Sequence, residues 1–121
     1  PGQWATGYLE AIKRAIGQHP VDVAVDVWPF ASSDRAAAEA MAGRHIARFL
    51  PSMRTLADFY GVRDPHDAVR AFCAVGDEAE LVDGCQRLFD AGVQRITFSG
   101  ALGPDRDEAI RILARVAARL S

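Results

Sequence analysis

Three groups of residues in this chain have types and spacings that chemistry can use. The first is Asp26 to Phe30, at the end of the alternating run "VDVAVDVW" and continuing through Pro29. Alternation puts Val21, Val23, Val25 and Val27 on one face and Asp22, Ala24, Asp26 and Trp28 on the other. If the valines pack on helices, Asp26 and Trp28 look out from the opposite face at the strand's end. There Trp28, Pro29 and Phe30 would form an aromatic wall beside a planar ligand. Packing in a core or an interface is the competing role for Trp28, and it is the commoner fate of a strand-end aromatic. The second group is Ser99-Gly100, which ends the run "RITFS". A hydroxyl beside a glycine can hydrogen-bond a ligand edge, or it can satisfy local backbone groups.

The third group is a pair of helix starts, Asp77-x-x-Glu80 and Asp105-x-x-Glu108. Each follows a strand and a glycine. A helix N-terminus in that position is a natural phosphate site, through its free amides and its dipole. Both first turns are acidic, however. Asp77, Glu78 and Glu80, and likewise Asp105, Asp107 and Glu108, satisfy the amides and repel an anion. The stretch "GPDRDE" therefore reads as a turn and a helix cap, with Ser99 and Gly100 left as the residues able to touch a ligand. Neither GxGxxG nor the Walker spacing is present. No histidine pair has HxxxH spacing, and no GxSxG elbow supports a serine nucleophile. His45, between Arg44 and Arg48, reads as a solvated or interface residue, and His19 and His66 read as loop residues. No catalytic base and no metal site is assigned.

The elements that position these groups follow from pattern. A helix is predicted from Trp4 to Gly17 and a strand from Val21 to Trp28. A long helical segment capped by Ser32 or Ser33 comes next, and Pro51 interrupts it. A second helix over "SMRTLADFY" stops near Gly61. A linker containing Asp64-Pro65 leads to a strand over Ala71 to Val75. The next helix carries the apolar stripe Leu81, Val82, Cys85, Leu88, Phe89 and ends at Gly92. A strand over Arg95 to Ser99 and a last helix with the stripe Ile110, Leu113, Ala117, Leu120 complete the chain. Alternation of this kind implies α/β architecture with a parallel sheet.

Composition bounds the partners. Within 121 residues there is room for one domain, half of the residues are hydrophobic, and the net charge is -2. That charge offers no general attraction to nucleic acid or to an anionic membrane. No apolar run reaches the roughly 18 residues of a membrane span. Thirteen of the fourteen basic residues are arginine, scattered rather than clustered. Cys73 and Cys85 lack CxxC spacing and read as buried free thiols of a cytoplasmic protein. The chain opens on Pro1 without an initiator Met, so a preceding segment is expected.

From Val75 to Leu120 the order is a strand, a Gly-Asp-x-Ala-Glu turn, a helix, "AGV", a strand, a Gly-Pro turn and a helix. Upstream stands "VDVAVDVWPFASSD" with its Ala-rich helix. In this order the chain resembles the C-terminal part of the luciferase-like flavin- or F420-dependent oxidoreductases. The resemblance implies a single partial domain over 1–121, the last three β/α units of a (β/α)8 TIM barrel. A small open parallel α/β sheet is the alternative form. It also implies hydride transfer or monooxygenation of a small organic substrate with FMN or coenzyme F420. Most cofactor contacts would come from an upstream barrel half or a complementing chain, in a homo-oligomer. Asp26, Trp28, Phe30, Ser99 and Gly100 are the pocket candidates. A non-catalytic α/β module that assembles through its open sheet edges is the alternative function.

Overall fold

The computed structural model describes residues 6–19 and 22–120. Their elements are α1 (Thr6–Ile16), β1 (Ala24–Ala31), α2 (Arg35–Phe49), a 3-10 turn (Leu50–Met53), α3 (Arg54–Tyr60), α4 (Pro65–Phe72), β2 (Cys73–Gly76), α5 (Glu78–Asp90), β3 (Arg95–Phe98) and α6 (Arg106–Leu120). The predicted starts at Trp4 and Val21 lie outside the described residues.

The three strands form one parallel sheet in the order β2-β1-β3. The sheet is open, and β1 is central. Both faces are covered. Val27 and Ala31 pack with Leu81, Cys85 and Leu88 of α5 and with Ala109, Ile112, Leu113 and Val116 of α6. On the other face Phe30 and Cys73 pack with Ala38, Ala42 and Ile46 of α2 and Ala68 of α4. The alanines let α2 and α4 approach the sheet closely around the one large ring. Each fully buried Leu or Ile in these clusters contributes about 1.5–3 kcal/mol relative to an exposed side chain.

Several boundaries differ from the sequence expectation, each for a local reason. The strand β1 begins three residues later than predicted and runs through Trp28-Pro29-Phe30 to Ala31. Proline in a central strand normally removes a ladder bond. Here the β1–β3 ladder ends at Val27↔Phe98 and resumes only at an isolated bridge, Phe30↔Leu102. Odd-numbered residues of β1 bond the β3 side, since Val23 and Val27 carbonyls accept from Gln94 and Ser99 and the Ala31 amide donates to Leu102. Pro29 therefore falls in the interruption, where no donor is needed.

Asp34, not Ser32 or Ser33, caps α2; its carboxylate accepts from the Ala37 amide at 3.1 Å. Ser32 is turned inward and accepts from the Asp34 amide at 3.0 Å. The segment read as a linker and the start of a strand is helix α4. Asp64 caps it and Pro65 occupies its first turn, where the missing amide costs nothing. Consequently β2 begins at Cys73 rather than Ala71, and His66 is helical. In α6 the buried residues are Ala109, Ile112, Leu113 and Val116; of the expected stripe Leu113 is buried and Leu120 packs against the core, while Ile110 is exposed. In α5 the expected capping box and apolar face are both present.

Candidate functional site

In open α/β sheets, ligands gather beyond the carboxyl ends of the strands. At that end three helix starts converge, each with an aspartate cap. Asp34 serves α2, Asp77 accepts from the Glu80 amide at 3.0 Å, and Asp105 accepts from the Glu108 amide at 3.0 Å. The Glu80 carboxylate in turn accepts from the Asp77 amide at 3.0 Å and also holds the Arg35 guanidinium. Glu108 does not close a second capping box. It reaches across to the β1–α2 turn and accepts from the Ser33 amide at 2.7 Å and the Ser33 hydroxyl at 3.2 Å. The Ser33 amide and the Ser32 and Ser33 hydroxyls hold the Glu108 carboxyl below its ordinary pKa. Arg115 and Arg119 do the same for Glu78, Arg115 the more strongly.

The backbone is stitched across the same edge. The Ala31 amide donates to Leu102 at 2.8 Å, and the Ser32 amide to Gly76 at 3.1 Å. The loop from Ser99 to Pro104 lies along β1 rather than standing open. Gly103 comes so close that a Cβ there would lie 2.3 Å from the Ala31 carbonyl oxygen. The turn after β3 thus changes direction and clamps the sheet. It forms no anion cradle, because the helix start it leads into is capped by Asp105 and carries Asp107 and Glu108 in its first turn. The phosphate end of FMN or F420 does not fit the described residues here.

The predicted pocket residues separate into three groups. Asp26 is exposed, and no hydrogen bond or ion pair engages its carboxylate among the described residues. It stands opposite Thr97 in the ladder, and continuing the register past Val27↔Phe98 brings Ser99 beside Trp28. Asp26, Trp28 and Ser99 thus share one sheet face, while Val23, Val25 and Val27 pack toward α5 and α6 as expected. Phe30 departs from expectation: it is fully buried beneath α2, so it lines no open wall. Trp28 is half-buried, its ring centroid 5.5 Å from His45 and 5.6 Å from Phe49. His45 is accordingly an aromatic packing residue and not a solvated one, with Phe30 at 5.4 Å on its other side. Gly100, at φ +90°, is an exposed turn residue with open space around it.

Two concavities flank the sheet. A polar groove of about 460 Å3 follows the outer edge of β2, lined by Arg35, Glu39, His66, Arg70, Glu80 and Arg87 among others. An apolar cavity of about 250 Å3 lies against the first half of β1, lined by Asp26, Trp28, Met53, Leu56, Tyr60 and Phe72 among others. Sequence reading missed its walls on α3 and α4, because their meeting with β1 depends on β2 starting late. Asp64, His66 and Asp67 place ligand atoms within 4.8 Å of one another. Asp64 and Asp67 are already engaged in capping: Asp64 accepts from the Asp67 amide at 2.9 Å and Asp67 from the Arg63 amide at 3.4 Å. Both cysteines are buried free thiols, and burial pushes Cys73 up to about 12 and Cys85 to about 11. Among the described residues no helix is long and apolar enough to cross a membrane.

No protein-family model matches the sequence, and neither does any curated protein sequence. The fold is similar to that of the coenzyme F420-dependent tetrahydromethanopterin reductase from Methanopyrus kandleri. The two superpose with a TM-score of 0.52 at 21% identity, over 78% of this chain and 34% of the reductase. The chain therefore spans about a third of that enzyme's length.

Proposed function

We propose that this chain is the C-terminal part of a luciferase-like oxidoreductase that transfers a hydride between coenzyme F420 and a small organic substrate in the cytoplasm. The likeness of its fold to an F420-dependent reductase carries this reading. The order of strand, acidic helix start, "AGV", strand and Gly-Pro turn supports it independently. FMN is the alternative cofactor, with monooxygenation as the corresponding reaction. In this reading the upstream barrel half, in the same polypeptide or in a complementing chain, holds the cofactor's phosphate end. The present residues contribute Asp26, Trp28 and Ser99 to the face beside it, and no base or nucleophile. The test is purification of the protein together with any upstream segment its gene encodes. Blue F420 fluorescence or a yellow flavin, with cofactor-dependent turnover, is the expected result. A colourless protein that binds neither cofactor overturns the proposal.

One observation favours a second reading, a non-catalytic module that assembles through its sheet edges. The carboxyl end of the sheet is filled by capping carboxylates, while the outer edges of β2 and β3 carry no strand among the described residues. Unpaired parallel edges favour association. Light scattering that shows a stable monomer counts against assembly. Equilibrium dialysis of the chain with FMN tests the argument from acidic helix starts: no micromolar binding is expected of either the module or the isolated segment, and micromolar binding sinks that argument.

A further inference from the structure

The pairing of β1 is lopsided. Its first half, Ala24–Val27, pairs with β3, but β2 joins only from Trp28 onward. Even-numbered residues bond the β2 side, as the Ser32 amide does with Gly76. The peptide groups of Ala24 and Asp26 therefore point into a space that no strand of the sheet fills. The apolar cavity of about 250 Å3 borders this space, and Met53, Leu56, Tyr60 and Phe72 line it as well.

The lining combines three aromatic side chains, a single carboxylate and no basic group. Cys73 contributes an uncharged thiol. Aromatic faces attract cations. An ammonium has three donors and no acceptor, which matches a carboxylate and outward-facing carbonyls. An anion would meet the negative charge of Asp26, and a neutral ligand would gain nothing from it. An extended peptide meets a different obstacle, because the last turn of α4 and the start of β2 block its path along β1. We propose that this cavity binds a small aromatic ammonium ion, its ring among Trp28, Tyr60 and Phe72 and its charge at Asp26. The site shares Asp26 and Trp28 with the face given above to the oxidoreductase reading, but ligand binding without cofactor or turnover tests it separately from that reading.

The experiment is a fluorescence titration of the full chain carrying Trp4→Phe, which leaves Trp28 as its one indole. The probes are 2-phenylethylammonium, its neutral analogue 2-phenylethanol, and phenylacetate. A saturable change with the ammonium is expected, about tenfold tighter than with the alcohol, and none with phenylacetate. Asp26→Asn should erase the preference for the ammonium while leaving alcohol binding in place. Leu56→Trp, which fills the cavity without touching Asp26, should abolish binding of both, followed by calorimetry; it keeps the test decisive if the Asp26 variant misfolds. Equal affinity for ammonium and alcohol overturns the proposal. So does the absence of saturation, or tighter binding of an acetyl-Val-Thr-Val-amide strand mimic.

Discussion

The two halves of β1 face opposite surroundings. Its carboxyl end is crowded: Ser33 bonds Glu108, Glu80 bonds both Arg35 and Asp77, and Ser32 accepts from the Asp34 amide, across three helix starts. Its first half is flanked on one side by β3 and on the other by an apolar cavity beside an unengaged carboxylate. Parallel α/β folds place their ligand chemistry at the first of these ends. In this chain much of that end is engaged in capping, and an apolar space able to take a small molecule lies along the other half. Position in a fold supplies an opportunity; the side chains at the helix starts decide whether it stays open.

The comparison can be broken in four ways. The largest effect tests what both halves share. Leu88 is fully buried in α5, whose start belongs to the crowded end, and Leu88→Ala should cost ~2–5 kcal/mol in chemical denaturation. A loss below ~1 kcal/mol would mean that this helix does not anchor the sheet. Gly103→Ala tests the clamp directly, because its Cβ would lie 2.3 Å from a backbone oxygen that cannot move without β1. About 1–3 kcal/mol of destabilisation is expected, and a neutral result would show the loop free to lift away. Asp77→Ala removes the cap of α5 and should cost ~0.5–2 kcal/mol by the same measurement. No change would imply that Glu80 alone satisfies the helix start.

The smallest effect concerns pH. Glu108 has a folded pKa below its ordinary value of 4.5. Its contribution is therefore fully present above that value and is lost as the pH falls through the lower, folded value. Glu108→Gln should lower stability modestly at neutral pH, where the contribution is fully present, and flatten this acid limb of the profile, so that the two proteins converge at low pH. An unaltered acid limb in the variant would mean that the Ser33 contact does not bind the carboxylate in solution.

Legibility in the sequence followed the range of the interactions involved. The capping box and stripe of α5 were readable because each is decided within a few residues. The valine face of β1 was readable from strict alternation. Helix α4 was hidden by its short length, although Asp64-Pro65 is a sound cap and first-turn pair once read as a start. Phe30 and His45 were misplaced because a strand end gives no sign of which helix will cross it. In α6 Leu113 was legible from the stripe, but the burial of Ala109 was not, because it comes from the close approach of the Gly103 loop. The cavity depends on the relative starts of β1 and β2, and pairing registers are written in no local pattern. Asp26 and Trp28 were singled out correctly as sharing a face, yet the space they border was legible only in three dimensions.

Pro29 has a further consequence, for folding. Moving β3 along β1 by one residue would exchange the two faces and expose the core, so the apolar pattern forbids it. Moving it by two residues keeps every side chain on its proper face, and the pattern is blind to that error. The proline is not. A two-residue displacement toward the carboxyl end would bring Pro29 into the ladder, where a β3 carbonyl would find no donor, at a cost of ~1–3 kcal/mol. A residue that disfavours strands in general thus acts here as a register stop, closing off the misaligned sheet most easily confused with the native one.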